Sequence, residues 1–390
     1  MSWVDDIAYF LSPLDEYFTK PAEEDDNRLG AVLLKHTSES FPDLDSVKYA
    51  IVGVNENRRS SLNFEVSAPD AVRVKFYELF NPSKSLVGVD LGNIKPGETP
   101  EDTDAALKQI VGQFASHKIP LIVLGGSQDL TFALHQGFES LETSVTHTIV
   151  DNRLDLGEFR SELSTYNYLS KMVLHDPSYL FSLTVLGYQA YYADPKVIEL
   201  MDKMYFDHIR LGDLKASPAL AEPILRNSDM LSFDMSAIKD DAAPGTFEPN
   251  GLDGEDACKI MRYAGLSDKV SVAGLFNYNL PDDTSGQQAT LMAQMIWYFL
   301  EGLQGRVREF PLLKRQNFLE YKVQLKEYSD DLIFFKSKRT DKWWMRIPYA
   351  VKGSKFAERH HLVPCGYSDY QSASNGEMPD LWWKTFRKLS

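Results

Sequence analysis

Between residues 45 and 303, short apolar runs alternate with segments of helical spacing, and no other feature restricts the fold as much. "IPLIVLGG" (119–126), "LTVLGYQ" (183–189) and "VSVAGLFNY" (270–278) are largely apolar, not at every second residue, and "SVTHTIVD" (144–151) and "DMLSFDMS" (229–236) are further strand-like runs with small polar residues among the apolar ones. A strand of that kind is buried on both faces, which requires a parallel sheet with helices above and below. "VKYAIVGVNENRRS", "SLVGVDLGNI" and "HIRLGDL" (208–214) add further runs. Between them, "SAPDAVRVKFYELF" places Val72, Phe76 and Phe80 at helical spacing with Pro69 in the first turn. "DTDAALKQIVGQFASHK" is amphipathic with Asp104 as its candidate cap, and "QATLMAQMIWYFLEGL" (288–303) has the character of a closing helix. The alternation predicts an α/β fold, a three-layer αβα sandwich with a mostly parallel sheet of about eight strands.

Three regions follow: an acidic leader (1–45) packed on the domain, the α/β domain itself (46–305), and a Trp-rich basic extension (306–390). Four of the six tryptophans fall in the extension as Trp343–Trp344 and Trp382–Trp383, beside the hairpin-like "DDLIFFKSKRTDKWWMRIPY". Packing is the expected role of both pairs. The chain carries a net charge of −15, yet residues 304–390 hold 17 Lys and Arg against 10 Asp and Glu, a net of +7 that leaves −22 for residues 1–303. Such a balance excludes nucleic acid as the main partner. It predicts that the basic extension docks on its own acidic body; a protein partner or a homo-oligomer formed through the extension is the alternative. Two cysteines without CxxC spacing suit a reducing compartment. The acidic start "MSWVDDIAYF" is unlike a signal peptide and no run is long and apolar enough for a membrane span, so a cytoplasmic location is expected, neither membrane-bound nor secreted.

"VLGGSQDLTF" (123–132), "IVDNRLD" (149–155) and "LSFDMSAIKDDAAPGTFEPNGL" (231–252) each begin as an apolar strand and end in polar residues. Their carboxylates and amides should therefore meet at one edge of a parallel sheet. In order and spacing they resemble the three signatures of the arginase or ureohydrolase family: Gly-Gly-Asp-His-Ser, Asp-Ala-His-x-Asp and Ser-x-Asp-x-Asp-x-x-Asp-Pro-x-x-Ala-Pro-Gly. Ser232, Asp234, Ala243, Pro244 and Gly245 sit at family spacing in the third. "VLGYQAYYADP" (185–195) is similar to the Leu-Gly-Ile-Gln stretch of the formimidoylglutamase branch. The resemblance implies hydrolysis of a C–N bond in a small linear amidine or guanidine, in intact members by a hydroxide held between two manganese ions.

The departures are as specific as the matches. Gln128 stands where the first signature has its metal-binding His, flanked by Ser127 and Asp129 in place of Asp and Ser. Arg153 replaces the His of the second signature, Ser236 the second Asp of the third, and Lys239–Asp240 its Asp-Pro pair. By the resemblance one ion would take Gln128, Asp151, Asp155 and Asp234, a usable oxygen set for Mn²⁺ or Mg²⁺. The second ion would face Arg153 and Ser236, which offer no anionic donor. Arg153 is then expected to place its guanidinium on Asp151 and Asp234 where that ion was, with one bound ion or none. His135, His147, His175 and His208 look scattered, offering no substitute ligands. Two functions stay open: a hydrolase of the family with a degraded metal site, and a non-catalytic descendant using the scaffold for binding or assembly.

Overall fold

The computed structural model describes residues 3–20, 26–60, 68–312, 315–326, 328–349 and 355–389. Ten strands form the main sheet: β1 (Leu11–Ser12), β2 (Leu34–Lys35), β3 (Tyr49–Gly53), β4 (Gly88–Ile94), β5 (Leu121–Leu124), β6 (Val145–Val150), β7 (Leu180–Tyr188), β8 (Asp207–Arg210), β9 (Met230–Asp234) and β10 (Val272–Phe276). Their order is β1-β4-β3-β5-β10-β9-β6-β7-β8, with β2 also on β4. The eight strands from β4 to β8 pair in parallel, as the unbroken apolar runs require. The two-residue strands β1 and β2 lie against β4, and β1 is antiparallel to it.

Both faces are covered. The helices Pro100–His117 and Leu130–Gly137 bury Leu107, Ile110, Phe114 and Leu134 against one face. On the other, Ala68–Phe76, Gly254–Leu266 and Gln287–Gln304 bury Phe76, Met261, Ile296 and Phe299. Burial of that apolar surface is the main force holding the three layers together. Two local expectations need correction. The helix beginning at Pro100 is capped by Thr99, whose hydroxyl accepts from Asp102 N at 3.2 Å while Asp102 Oδ2 accepts from Thr99 N at 2.8 Å. Asp104 instead takes Arg59 at 2.7 Å. The run 208–214 is strand only to Arg210 and becomes helix at Leu211–Ala216.

A second sheet follows, antiparallel in the order β11 (Phe318–Val323), β12 (Leu332–Ser337), β13 (Trp343–Arg346) and β14 (Leu362–Cys365). Trp343 and Trp382 enter one of its apolar clusters and Trp344 the other, so these tryptophans are packing residues and offer no contact surface. Trp383 alone of the four is 39% exposed, with Arg387 stacked on it. This module docks on the edge of the main sheet where β6 to β9 begin. Arg359 ion-pairs with the buried Asp229, Lys384 reaches Asp207 at 2.7 Å, and Lys388 donates to Ser182 Oγ at 2.7 Å. His360 meets Ser144 at 2.8 Å, and Arg226 donates to Trp343 O at 3.0 Å with its guanidinium over Trp344. The basic extension thus engages its own acidic body. Cys258 and Cys365 are free and buried, and no helix among the described residues is long and apolar enough to cross a membrane.

Candidate functional site

Neighbouring strands in the order β5-β10-β9-β6 end side by side, and their ends carry the polar residues of the three sequence stretches. After β5 the chain turns through Gly125 and Gly126, both at positive φ. A Cβ on Gly126 would come within 2.3 Å of Leu130 Cδ1 and 3.0 Å of Glu56 O, so only glycine allows this turn. It delivers Gln128 to the edge. Strand β9 ends on Asp234, β6 runs into Asp151, and Asp155 follows one short loop later.

Gln128, Asp151, Asp155 and Asp234 are all buried. The Gln128 backbone N–H donates to Asn277 Oδ1 at 3.1 Å and its Nε2 to Ser232 Oγ at 3.0 Å, leaving Oε1 without a donor among the described residues. Asp234 accepts from Ser236 N at 2.7 Å and from Asn277 Nδ2 at 2.6 Å. Asp151 accepts from Arg153 N at 2.9 Å and from the Tyr168 hydroxyl at 3.3 Å. Among the described residues these carboxylates make hydrogen bonds and no ion pair. Burial and the neighbouring Asp155 hold Asp151 well above the carboxylate range. Burial pushes Asp155 up to about 7, with Asp234 adding to the shift, and Asp234 up to about 8, with Asp151 adding. The same burial raises the Tyr168 hydroxyl. Three adjacent carboxylates without a cation cannot all stay charged in such a medium; they take up protons or a cation.

The sequence expectation for Arg153 fails here. Its guanidinium does not reach Asp151 or Asp234 but lies 4.1 Å above the Tyr192 ring, and only its backbone N–H touches Asp151. A planar, weakly hydrated guanidinium gains from an aromatic face while keeping solvent on its other side, so the half-buried stack wins over entry into the closed pocket. Its charge is felt at Asp155 and Glu248 without contact. Around it the loops close: Asn152 Nδ2 donates to Glu248 Oε1 at 2.9 Å and to Ser236 O at 3.1 Å, Tyr192 OH to Glu248 Oε2 at 3.2 Å, and Gln189 Nε2 to Asn250 O at 2.8 Å. Two clefts, of about 510 and 290 Å³, lie elsewhere and none of these residues lines them.

The other substituted positions have become structural. Ser127 Oγ donates to Asp129 Oδ1 at 2.5 Å, and Asp129 pairs with Arg59 at 3.2 Å. Lys239 pairs with Asp241 and Asp253, while Asp240 accepts from Gly245 N and Phe247 N. Asn277, Tyr168, Asn152 and Glu248 belong to the site and escaped the sequence reading. Only the polar "NYN" closing an apolar run hinted at Asn277. The histidines are less scattered than expected: His135 Nδ1 and His147 Nε2 lie 2.9 Å apart, and His175 packs on His135, well inside the fold.

Three carboxylates and a donor-free amide oxygen are hard oxygen donors and fit one divalent cation of the Mg²⁺ or Mn²⁺ type. They are not closed up to ligand spacing; among the described residues no three His, Cys, Asp or Glu side chains form a ready ligand group. At the second-ion positions Arg153 and Ser236 do not fit a cation.

The family model described as the arginase family matches residues 48–301. No curated protein matches in sequence. Among solved structures, Trypanosoma cruzi formiminoglutamase with Mn²⁺ is similar at 17% identity and a TM-score of 0.64, covering 73% of this chain and 100% of that one. Formimidoylglutamase from Bacillus subtilis is similar at 15% identity and 0.63, covering 75% and 97%. Agmatine ureohydrolase of Thermoplasma volcanium follows at 21% and 0.54, covering 69% and 94%.

Proposed function

The chain belongs to the arginase family, and from that premise we propose that it is a one-cation member, in which Asp151, Asp155, Asp234 and Gln128 Oε1 would hold a single Mn²⁺ or Mg²⁺. One observation carries the reading: three buried carboxylates, two of them linked to Gln128 through Tyr168 and Asn277, have no cationic side chain paired with them among the described residues, and the Gln128 Oε1 has no donor there. Asn277 and the Ser236 N–H orient Asp234, and Tyr168 orients Asp151, so an ion would have to draw the carboxylates only the remaining way to ligand spacing. When bound, the ion supplies the missing positive charge and Lewis acidity toward an oxygen ligand.

The substrate class suggested by the formiminoglutamase neighbours is a small linear amidine or guanidine. Family hydrolysis draws on two ions, and Arg153 and Ser236 give the second no donor. The Asn152–Glu248–Tyr192 network ties together the loops beside Asp151. This chain is accordingly read as a cation-dependent binding protein on a hydrolase scaffold. Metal analysis after dialysis against Mn²⁺ should give one ion per chain, lost in Asp155→Asn, and formiminoglutamate should not be turned over above the level of that variant. Two ions per chain, or turnover that Asp155→Asn abolishes, would overturn the reading.

A further inference from the structure

We propose that the second sheet and its helices form a separate body, latched to the main domain by a junction that opens in acid, with His360 as the group that reads the pH. Among the described residues every apolar cluster stays on one side of that junction: two draw on residues up to Leu303 and two on residues from Phe310 onward. The stretch matched by the arginase family ends at residue 301, close to the same boundary. Each body thus keeps its own core, and the contacts that cross are ion pairs, hydrogen bonds and ring stacks. A junction of that composition can part without either side unfolding.

His360 closes the helix Lys355–His360 and is sealed into the junction at 2% exposure. Its ring stacks on Phe181 of β7, with centroids 3.8 Å apart and 13° between planes, and its Nε2 lies 2.8 Å from Ser144 Oγ. Charged groups reach it from both bodies. Lys269 and Asp229 belong to the main domain, Arg359 to its own helix, and Lys388 to the helix Asp380–Leu389, with the ammonium 5.6 Å from the Phe181 ring. The carboxylates along the junction are already paired: Asp229 with Arg359 and Lys269, Asp207 with Lys384, and Glu222 with Arg226 and Lys342. Glu358, on the same helix, is exposed, and His361 bonds Glu358 O and packs on Tyr349 within its own body. A proton on His360 would therefore add charge to a dry site beside Lys269, Arg359 and Lys388. Burial first, then those three cations, hold the docked imidazole neutral down to about 2. Once undocked, the ring meets water and titrates near its ordinary value of about 6.5. Docking is then at full strength above about pH 6.5 and weakens by about tenfold for each unit below it, with one proton taken up. His147 is also kept neutral by burial, but on β6 inside the main domain, so its titration loosens that body and not the junction.

Small-angle X-ray scattering and far-UV dichroism of the full chain, followed together from about pH 7.5 to about pH 4.5, test this. The radius of gyration should rise below about pH 6.5 while the dichroism holds, and should return on neutralisation. His360→Gln, which cannot take up the proton, should stay compact over the same range. His360→Lys, which carries the charge permanently, should already be expanded at about pH 7.5 with its dichroism intact. A parent radius that does not change, or one that rises only as the dichroism is lost, would overturn the latch. So would His360→Gln that expands with the parent's pH dependence, or that is already expanded at neutral pH, since the ring would then serve packing and not titration.

Discussion

Two groups of buried acids sit on the same sheet and are treated in opposite ways. At β4, the fully buried Arg73 spends all five donors on Asp90 at 2.9 and 3.0 Å, Asp70 at 2.8 Å, Asn93 at 2.6 Å and Gly92 O at 2.8 Å. Tyr77 OH adds a bond to Asp90 at 3.1 Å. At the ends of β6 and β9, Asp151, Asp155 and Asp234 are also buried, and Arg153, between two of them in sequence, lies on Tyr192 instead. The first cluster is complete as folded, a structural ion pair. The second is short of positive charge and, without a cation, must hold protons.

The largest expected effect tests the complete cluster. Arg73→Met leaves Asp90 buried without its cation and should cost about 3–5 kcal/mol in urea unfolding; a loss under about 1 kcal/mol would erase the contrast. The next tests the incomplete one. Asp155 and Asp234 titrate higher in the folded chain, about 7 and about 8, than unfolded, so the native state holds protons that the unfolded chain has lost. Without a cation, the stability this contributes is full below the unfolded value of about 4 and is lost as pH rises through 7 and 8, by up to about 1.4 kcal/mol per unit for each group. Asp234→Asn should flatten that decline and stabilise the cation-free protein at pH 8 by about 1–3 kcal/mol, and saturating Mn²⁺ should flatten it in the parent. Melting temperatures that do not depend on pH from 5 to 8 without metal would count against buried, uncompensated acids.

A third effect runs in the other direction. His147 and His360 are pushed down by burial to about 3 and about 2, so the folded chain keeps them neutral where the unfolded chain protonates them. Their contribution is present above about pH 6.5 and is lost as pH falls below it. His360→Gln should make the acid limb of the stability profile shallower. The smallest change is Arg153→Ala, under about 1 kcal/mol, the worth of a half-exposed guanidinium stack. A loss of several kcal/mol would place its charge among the carboxylates after all.

The sheet could be read from the chain because unbroken apolar runs such as "LIVL" and "AIVG" fit best in a strand covered on both faces. The placing of Gln128, Asp151, Asp155 and Asp234 at one edge was legible for the same reason, since strand ends carry their polar residues to a common side. The direction of a side chain was not. Arg153 could turn either way from its backbone, and the choice rests on Tyr192, which the loop after β7 presents from 39 positions away. Asn277 sits at φ 59°, a backbone setting no sequence period reveals, and from there bonds both Gln128 and Asp234. His135 and His147 meet across a helix and a strand, so spacing along the chain hid the contact.

The docking of the second sheet on the starts of β6 to β9 also sets an order of events during synthesis. Asp229 is nearly inaccessible in the folded chain, and one of its two cationic partners, Arg359, is made 130 residues later. Asp207 waits for Lys384 and Ser182 for Lys388, separations of 177 and 206 residues. While the ribosome is still working through that interval, the main sheet presents an acidic, open edge to its surroundings. At its opposite edge, the hydrogen bonds that hold Gln128, Asp151 and Asp234 come from residues no later than Asn277. The carboxylate cluster therefore has its own hydrogen-bond partners before the second sheet is made.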